Sequence, residues 1–229
     1  MDPKRAAAER AVEMVTDGML LGLGTGSTAA HFIDALGARV ATGLQVNCVA
    51  TSVASHRQAE ALGIPVSDRT DRMLDLAVDG ADEIDPGLNL VKGLGGALLR
   101  EKVVAAASQR MVVIATDDKL VDWLGSRAPL PVEVLPLLWE RTAETIGRLG
   151  LVPILRLVAP GSGPADTAFV TDNGNLILDC AILKPTDPED LAIELDTIPG
   201  VMGHGLFVGM ASLAVVAAPD GEVRLLEPA

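Results

Sequence analysis

The sequence predicts an α/β protein: a doubly wound, mostly parallel, Rossmann-like sheet carrying a smaller α+β lid domain. Three observations predict it. Short continuous apolar runs alternate with helical patterns through the first half, as βαβ units do when their strands are buried on both faces. From Pro129 the texture changes to proline-punctuated extended stretches, an Asn-Gly turn and two more helices, which reads as a small antiparallel module. The chain then ends in two apolar arms around Pro219-Asp220-Gly221, a hairpin that can rejoin the first layer. A length of 229 residues suits one large domain with a smaller companion. The expected division is 1–127 plus 203–229 for the larger unit and 128–202 for the smaller.

Each element has a local reason. Met1–Val15 sets Lys4, Glu9, Arg10 and Glu13 among alanines, which makes an amphipathic helix rather than a secretory signal with an unbroken apolar stretch. Met19–Gly24 reads as a buried strand, and Ser27–Val40 as a helix with Ala30, Phe32, Ile33 and Leu36 on its apolar side. Val46–Ala50 is a strand, and Val53–Leu62 a helix closed by Gly63. Leu74–Val78, Ala97–Ser108 and Met111–Ala115 continue as strand, helix and strand. Beyond them, Pro129, Pro131 and Pro136 break up a short extended stretch before a helix over Leu137–Leu149. Leu151–Val158 and Phe169–Ile182 are extended, the second folded back at Asp172-Asn173-Gly174-Asn175. Asp187-Pro188-Glu189 opens another helix with an Asp N-cap and Pro at the first helical position. Ala211–Leu226 forms the closing hairpin.

Composition removes several function classes. Aromatics are only 2% of the chain and Tyr is absent, so the core is aliphatic and the stacking platforms of single-strand binders are missing. A net charge of −13 without a basic run argues against nucleic acid, whose phosphates need clustered Lys and Arg. No run of 18 apolar residues exists, so no membrane span is expected. Cys48 and Cys180 stand alone in apolar stretches, which points to a reduced, cytoplasmic setting. An anionic small substrate remains compatible, because a local nest of backbone N–H groups and one Lys overrules the global field.

Three stretches carry chemistry. Gly22-Leu23-Gly24-Thr25-Gly26-Ser27-Thr28 lies between a strand and a helix, where exposed amides, the helix N-terminus and three hydroxyls suit a phosphate. It is neither a dinucleotide fingerprint, since position 27 is Ser, nor a P-loop, which needs a Lys. The plain alternative is a Gly-rich turn capped by Ser27. Asp79-Gly80-Ala81-Asp82-Glu83-Ile84-Asp85 sets four carboxylates after a buried strand, at the crevice where open α/β sheets bind ligands. Crowded carboxylates raise one another's pKa, which supplies a proton donor beside an ionised acceptor; the alternative is a solvated acidic turn. Lys92-Gly93-Leu94-Gly95-Gly96-Ala97 runs into a helix bearing Arg100, Glu101 and Lys102. Lys92 suits an oxyanion and Glu101 a general base, against ordinary helix chemistry with Arg100 and Lys102 solvated. His31, His56 and His204 share no ligand spacing with each other or with the cysteines, so no metal is expected. Lys119 ends a strand and is placed to reach the same crevice, the alternative being an ordinary surface lysine.

In this order the segments Gly24–Ala29, Asp79–Glu83, Lys92-Gly93 with Gly95-Gly96, Arg100-Glu101-Lys102, Pro129–Val134, Val170–Asn175 and Ile198–Val201 closely resemble the A-type ribose-5-phosphate isomerase family. The likeness spans nearly the whole chain. It departs in 51–56, where relatives often carry a further Thr near His56, and at Leu94, where a small residue is frequent. The resemblance implies interconversion of ribose 5-phosphate and ribulose 5-phosphate through an enediolate, without metal or organic cofactor, in a homodimer. It implies Glu101 as base with Lys92, Asp79 and Asp82 catalytic, Asp79 and Asp82 helping to open the sugar ring. Thr25, Gly26, Ser27, Thr28, Asp79, Gly80, Ala81, Asp82, Lys92, Gly93, Leu94, Gly95 and Lys119 would hold the substrate. Two other readings are a sugar-phosphate-sensing domain without catalysis and an amino-sugar phosphate deaminase of related fold.

Overall fold

The computed structural model describes residues 2–159, 164 and 166–228. Met1, at the start of the expected first helix, and residues 160–163 and 165 of the expected smaller module lie outside the described residues. The elements run α1 (Pro3–Val12), β1 (Leu20–Leu23), α2 (Ser27–Ala41), β2 (Asn47–Ala50), α3 (Val53–Ala61), β3 (Leu76–Asp79), β4 (Glu83–Ile84), β5 (Leu90–Val91), α4 (Leu98–Ala106) and β6 (Met111–Thr116). They continue β7 (Leu130–Val134), α5 (Trp139–Gly147), β8 (Leu151–Leu155), β9 (Leu176–Ile182), α6 (Pro188–Asp196), β10 (Val201–His204), β11 (Leu206–Phe207), β12 (Leu213–Ala217) and β13 (Val223–Leu226).

The central sheet has the order β13-β12-β6-β3-β1-β2. Every pairing in it is parallel except β12 with β13, so the closing hairpin does rejoin the first layer. Its inner strands are apolar throughout because both faces are covered. Along β6, Val112 and Ile114 pack with Phe32, Ile33 and Leu36 of α2 and the alanines of α1. Met111, Val113 and Ala115 point the other way, against Phe207 and Leu90. The period-2 alternation of a strand thus feeds two separate cores.

A second, antiparallel sheet has the order β10-β7-β9-β8, covered on one face by Ile146 of α5 and Leu191 and Leu195 of α6. The prolines do not break its first strand. Pro131 stands inside β7, one residue beyond the last β10 pair, and its carbonyl accepts from Gly205 N–H at 2.7 Å. The Asn-Gly turn forms, with Gly174 N–H on Thr171 O and Thr171 N–H on Asn175 O, both at 2.9 Å. Its first arm shrinks to a single bridge, Val170 with Leu176, instead of a full strand from Phe169. Asp187 caps α6 as expected, its carboxylate accepting from Glu189 and Asp190 N–H. A third sheet, β11-β5-β4, was not foreseen; strands of two residues leave no periodicity to read. No described helix is long and apolar enough to cross a membrane.

Candidate active site

The C-terminal ends of β1 and β3, the start of α2 and the loop between β5 and α4 enclose a cleft. Counted out into the open solvent at its mouth, it measures about 540 Å³. Lys4, Thr25, Gly26, Ser27, Thr28, Gly80, Ala81, Asp82, Lys92, Gly93, Gly95, Glu101 and Lys119 line it.

At one end of the cleft, α2 opens without a side-chain cap. Its N-cap is Gly26 at φ 108°, a backbone shape that glycine adopts freely. The first-turn amides therefore face the cleft with no hydroxyl occupying them, and the dipole of a 15-residue helix sits behind them. Ser27 is the first helical residue and not the cap; its Oγ accepts from Lys4 Nζ at 2.9 Å. The Thr25 hydroxyl points into a polar nest, 2.7 Å from Thr51 Oγ1 and 2.8 Å from Ser52 Oγ. The segment where the sequence departs from the family pattern thus braces the phosphate-type loop from below.

At the other end three charges share a buried spot. Lys92 is 2% exposed, Asp79 3% and Glu101 4%, so this is ionic chemistry in a nearly dry pocket. Lys92 Nζ donates to Gly80 O at 2.6 Å and lies 3.1 Å from Asp79 Oδ2 and 3.2 Å from Glu101 Oε2. Burial disfavours the ammonium, but the Asp79 and Glu101 carboxylates more than offset it and hold Lys92 above the ordinary lysine range. Burial raises the Asp79 carboxyl, with Lys92 partly countering. Burial, then the Asp79 charge, push Glu101 up to about 8. Glu101 lies in the first turn of α4, where the dipole favours its ionised form, and desolvation outweighs that effect. Its Oε2 accepts no hydrogen bond among the described residues: the Lys92 contact is an ion pair with poor hydrogen-bond angle. An ionisable oxygen with a raised pKa and no hydrogen bond is suited to take a proton from carbon.

The four predicted carboxylates part company. Asp82 lines the cleft, its Oδ2 accepting from Leu94 N–H at 2.9 Å. Asp79 stands behind Lys92 instead of on the cleft wall: its Oδ1 accepts from Gly80 N–H at 2.7 Å and Thr25 N–H at 3.1 Å. That approach needs Gly24, because a Cβ there would fall 2.2 Å from Asp79 Oδ1. Glu83 is not a site residue; fully buried, it accepts from the amides of Gly125, Arg127 and Ala128 and ties down the loop before β7. Asp85 accepts from Gly87 and Asn89 N–H in a local turn. Leu94 is 43% exposed and its side chain does not line the cleft; its backbone does the work. Lys119 lines the cleft mouth, 3.7 Å from Asp118.

Sequence reading missed Lys4, which α1 delivers to Ser27 from 23 positions away; a lone Lys on an alanine-rich helix carries no local signal. The ordinary-helix alternative has Arg100 and Lys102 solvated, and the structure gives both of them partners. Arg100 donates to Asn173 Oδ1 at 2.7 Å and to Asp172 O at 3.0 Å. Lys102 Nζ lies 3.2 Å from His204 Nδ1 and 5.2 Å from the Phe207 ring centre, and burial lowers it to about 8. Among the described residues no group of three or more His, Cys, Asp or Glu side chains is arranged to hold a metal ion.

A parallel α/β sheet ending in an uncapped helix N-terminus, beside a buried ammonium shared by two carboxylates, defines an acid–base enzyme of Rossmann-like architecture that accepts phosphorylated small molecules. Known proteins narrow the class. The model of the family ribose 5-phosphate isomerase A (phosphoriboisomerase A) matches residues 47–221. Ribose-5-phosphate isomerase A of Gluconobacter oxydans (strain 621H) is 52% identical over 220 residues, 95% of this chain and 94% of that one. The solved ribose 5-phosphate isomerase A of Methanocaldococcus jannaschii superposes with a TM-score of 0.91 at 37% identity, covering 99% and 98% of the two chains. A D-ribose-5-phosphate isomerase solved in complex with phospho-erythronic acid superposes with a TM-score of 0.92 at 39% identity, covering 99% and 98%. The chain belongs to the ribose-5-phosphate isomerase A family.

Proposed function

We propose that this enzyme interconverts D-ribose 5-phosphate and D-ribulose 5-phosphate by proton transfer between C2 and C1 through an enediolate. The observation that carries the reading is the Glu101 Oε2 atom, buried and free of hydrogen bonds, 3.2 Å from Lys92 Nζ. Its chemistry fits the reaction. Glu101, once ionised, takes the C2 proton and returns it to C1. Lys92 stabilises the negative charge that appears on the oxygens in the enediolate, where a preorganised cation in a dry site acts most strongly. Asp82, on the cleft wall, exchanges protons with O1 and the ring oxygen as the sugar opens. Asp79, which does not reach the cleft, holds Lys92 and raises the basicity of Glu101. The phosphate goes to the α2 amides with Ser27, Thr28, Lys4 and Lys119, an anion site built from a helix N-terminus and two cations.

The phospho-erythronic acid in the related structure supports a phosphorylated sugar-like ligand. A non-catalytic sensor needs no buried Glu with a raised pKa paired to Lys92, so the binding-only reading is disfavoured. The proposal includes a place in the non-oxidative pentose phosphate pathway and a homodimer, both resting on family membership, and a cytoplasmic setting, which the two lone cysteines also favour. The direct test is ribose 5-phosphate with purified protein in excess chelator, following ketose formation. Ketose appearing at an undiminished rate supports a metal-free isomerase. Activity lost on chelation and restored by a divalent ion overturns the metal-free mechanism, and ammonia release from glucosamine 6-phosphate would favour the deaminase.

A further inference from the structure

We propose that Arg156, from the antiparallel sheet, is a positioning residue for the isomerase site: it fixes the backbone of Gly93 and Leu94 and thereby orients Asp82. This inference rests on the proposed function above. Arg156 follows the last residue of β8, and its backbone extends the ladder, with Arg156 N–H on Ile177 O at 2.8 Å and Phe169 N–H on Arg156 O at 2.9 Å. Asp179 of β9 grips the guanidinium from one side, accepting from Nε at 2.9 Å and from Nη2. The other side faces the catalytic loop: Nη1 donates to Gly93 O at 2.9 Å and to Leu94 O at 3.1 Å. The planar fork therefore binds a carboxylate and two carbonyls at once, a geometry a lysine cannot reproduce.

The consequence runs through one peptide group. The Gly93–Leu94 peptide is held on one side by the Gly93 carbonyl, which accepts from Arg156 Nη1 at 2.9 Å, and on the other by the Leu94 N–H, which donates to Asp82 Oδ2 at 2.9 Å. Gly96, two residues on, packs against Phe169, whose ring lies under the guanidinium at 5.8 Å and leaves no room for a Cβ at position 96. The Arg156 side chain is 11% exposed, so little water is at hand to replace it. Without the fork, the Gly93 and Leu94 carbonyls turn to find new donors, and the Leu94 amide swings off Asp82. Lys92 keeps its own anchor, Lys92 N–H on Gly205 O at 2.8 Å. The loss falls on the placement of Asp82, not on folding or on phosphate binding.

The test compares Arg156→Ala, Arg156→Lys and wild type by steady-state kinetics on ribose 5-phosphate and by amide hydrogen exchange of the unliganded proteins. Expected for Arg156→Ala is a kcat loss of roughly 10²-fold, the cost of a reacting group misplaced by about 1 Å. KM should stay within about threefold, and the Leu94 amide should exchange faster while amides of the central sheet do not. Arg156→Lys, which keeps the charge but not the fork, should not rescue kcat. Should Arg156→Ala fail to fold, Asp179→Asn, which loosens the fork while leaving Arg156 in place, should shift kcat and Leu94 exchange the same way. Wild-type kcat in the variants overturns the proposal, as does unchanged Leu94 protection or full rescue by Lys. If wild type itself does not isomerise ribose 5-phosphate, the functional reading fails, and faster Leu94 exchange in the variant still establishes the hold on the loop.

Discussion

Burial and the Asp79 charge push Glu101 up to about 8, so under the proposed mechanism this one group governs both the pH dependence of the rate and part of the stability. A base works only when ionised, so kcat/KM should rise with pH and level off above about 8 as the coupled Asp79–Glu101 site loses its proton. A rate already flat from pH 6 upward would show that Glu101 does not titrate there. Glu101→Gln keeps size and removes the acceptor. Activity should fall by about 10²–10⁴-fold, while calorimetric binding survives. Exchange of the substrate C2 proton with solvent deuterium at the wild-type rate in that variant would assign the base elsewhere. The linked stability has the opposite sign. The folded pKa is raised from 4.5, so the fold prefers the neutral acid, and stability is lost as pH climbs from about 4.5 through about 8. Glu101→Gln stays neutral and escapes that loss. Its melting temperature should gain on wild type across that window and run parallel above it.

The start of α2 shows what an element contributes that no single side chain does. Its first-turn amides are uncapped, Ser27 and Thr28 project beside them, and Lys4 reaches Ser27 from α1. Thr28→Ala should weaken binding of phosphorylated sugars by about 1.5–3 kcal/mol, the worth of a hydrogen bond to a charged group. Lys4→Ala should raise KM for the phosphorylated sugar and leave the affinity for an unphosphorylated analogue unchanged. Equal loss for both ligands would mean that Lys4 merely packs α1. This element was legible in the sequence, because glycines, hydroxyls and helix periodicity are contiguous over 22–36. So was Glu101 beside Lys92, each next to a Gly-rich turn. The parting of Asp79 from Asp82, and the conversion of Glu83 and Asp85 into structural anchors, were not legible. Four carboxylates within seven residues look alike until the partners from 24–25, 87–89, 92–94 and 125–128 fold onto them.

Across the whole molecule, the antiparallel layer braces the parallel one through polar contacts with no local signature. Glu133 of β7 is fully buried, and its Oε1 accepts from Thr171 Oγ1 at 3.0 Å, Asn173 Nδ2 at 3.0 Å and Asn175 Nδ2 at 2.8 Å. One carboxylate thus shapes the Asp172–Asn175 turn. That turn in turn reaches the other layer: Asp172 Oδ2 accepts from Val53 N–H at the start of α3 at 2.8 Å, and Asn173 holds Arg100 beside Glu101. The Asn-Gly pair announced the hairpin but not its target, since position 172 meets position 53 only after both layers have folded.

Removing Glu133 tests that brace. Glu133→Ala leaves the buried Thr171 hydroxyl and Asn175 carboxamide without their acceptor, at a cost of about 1–3 kcal/mol for each buried group left unsatisfied, while the exposed Asn173 carboxamide turns to water. A cavity adds to it. The melting temperature should therefore drop clearly. A local role would stop there, with exchange accelerated only at Thr171–Asn175. A brace predicts more: the turn loosens, Asp172 lets go of Val53, and the Val53 amide exchanges faster although β7 and α3 belong to different layers. Arg100 loses Asn173 in the same event, so kcat should fall while amides in β6, which the turn does not touch, keep their protection. Asp172→Ala, which cuts the link to Val53 but leaves the Glu133 cluster intact, should speed Val53 exchange with little change in melting temperature. Fast exchange at the turn with Val53 unchanged in Glu133→Ala would show that the two layers stand independently and that Glu133 serves its own sheet alone.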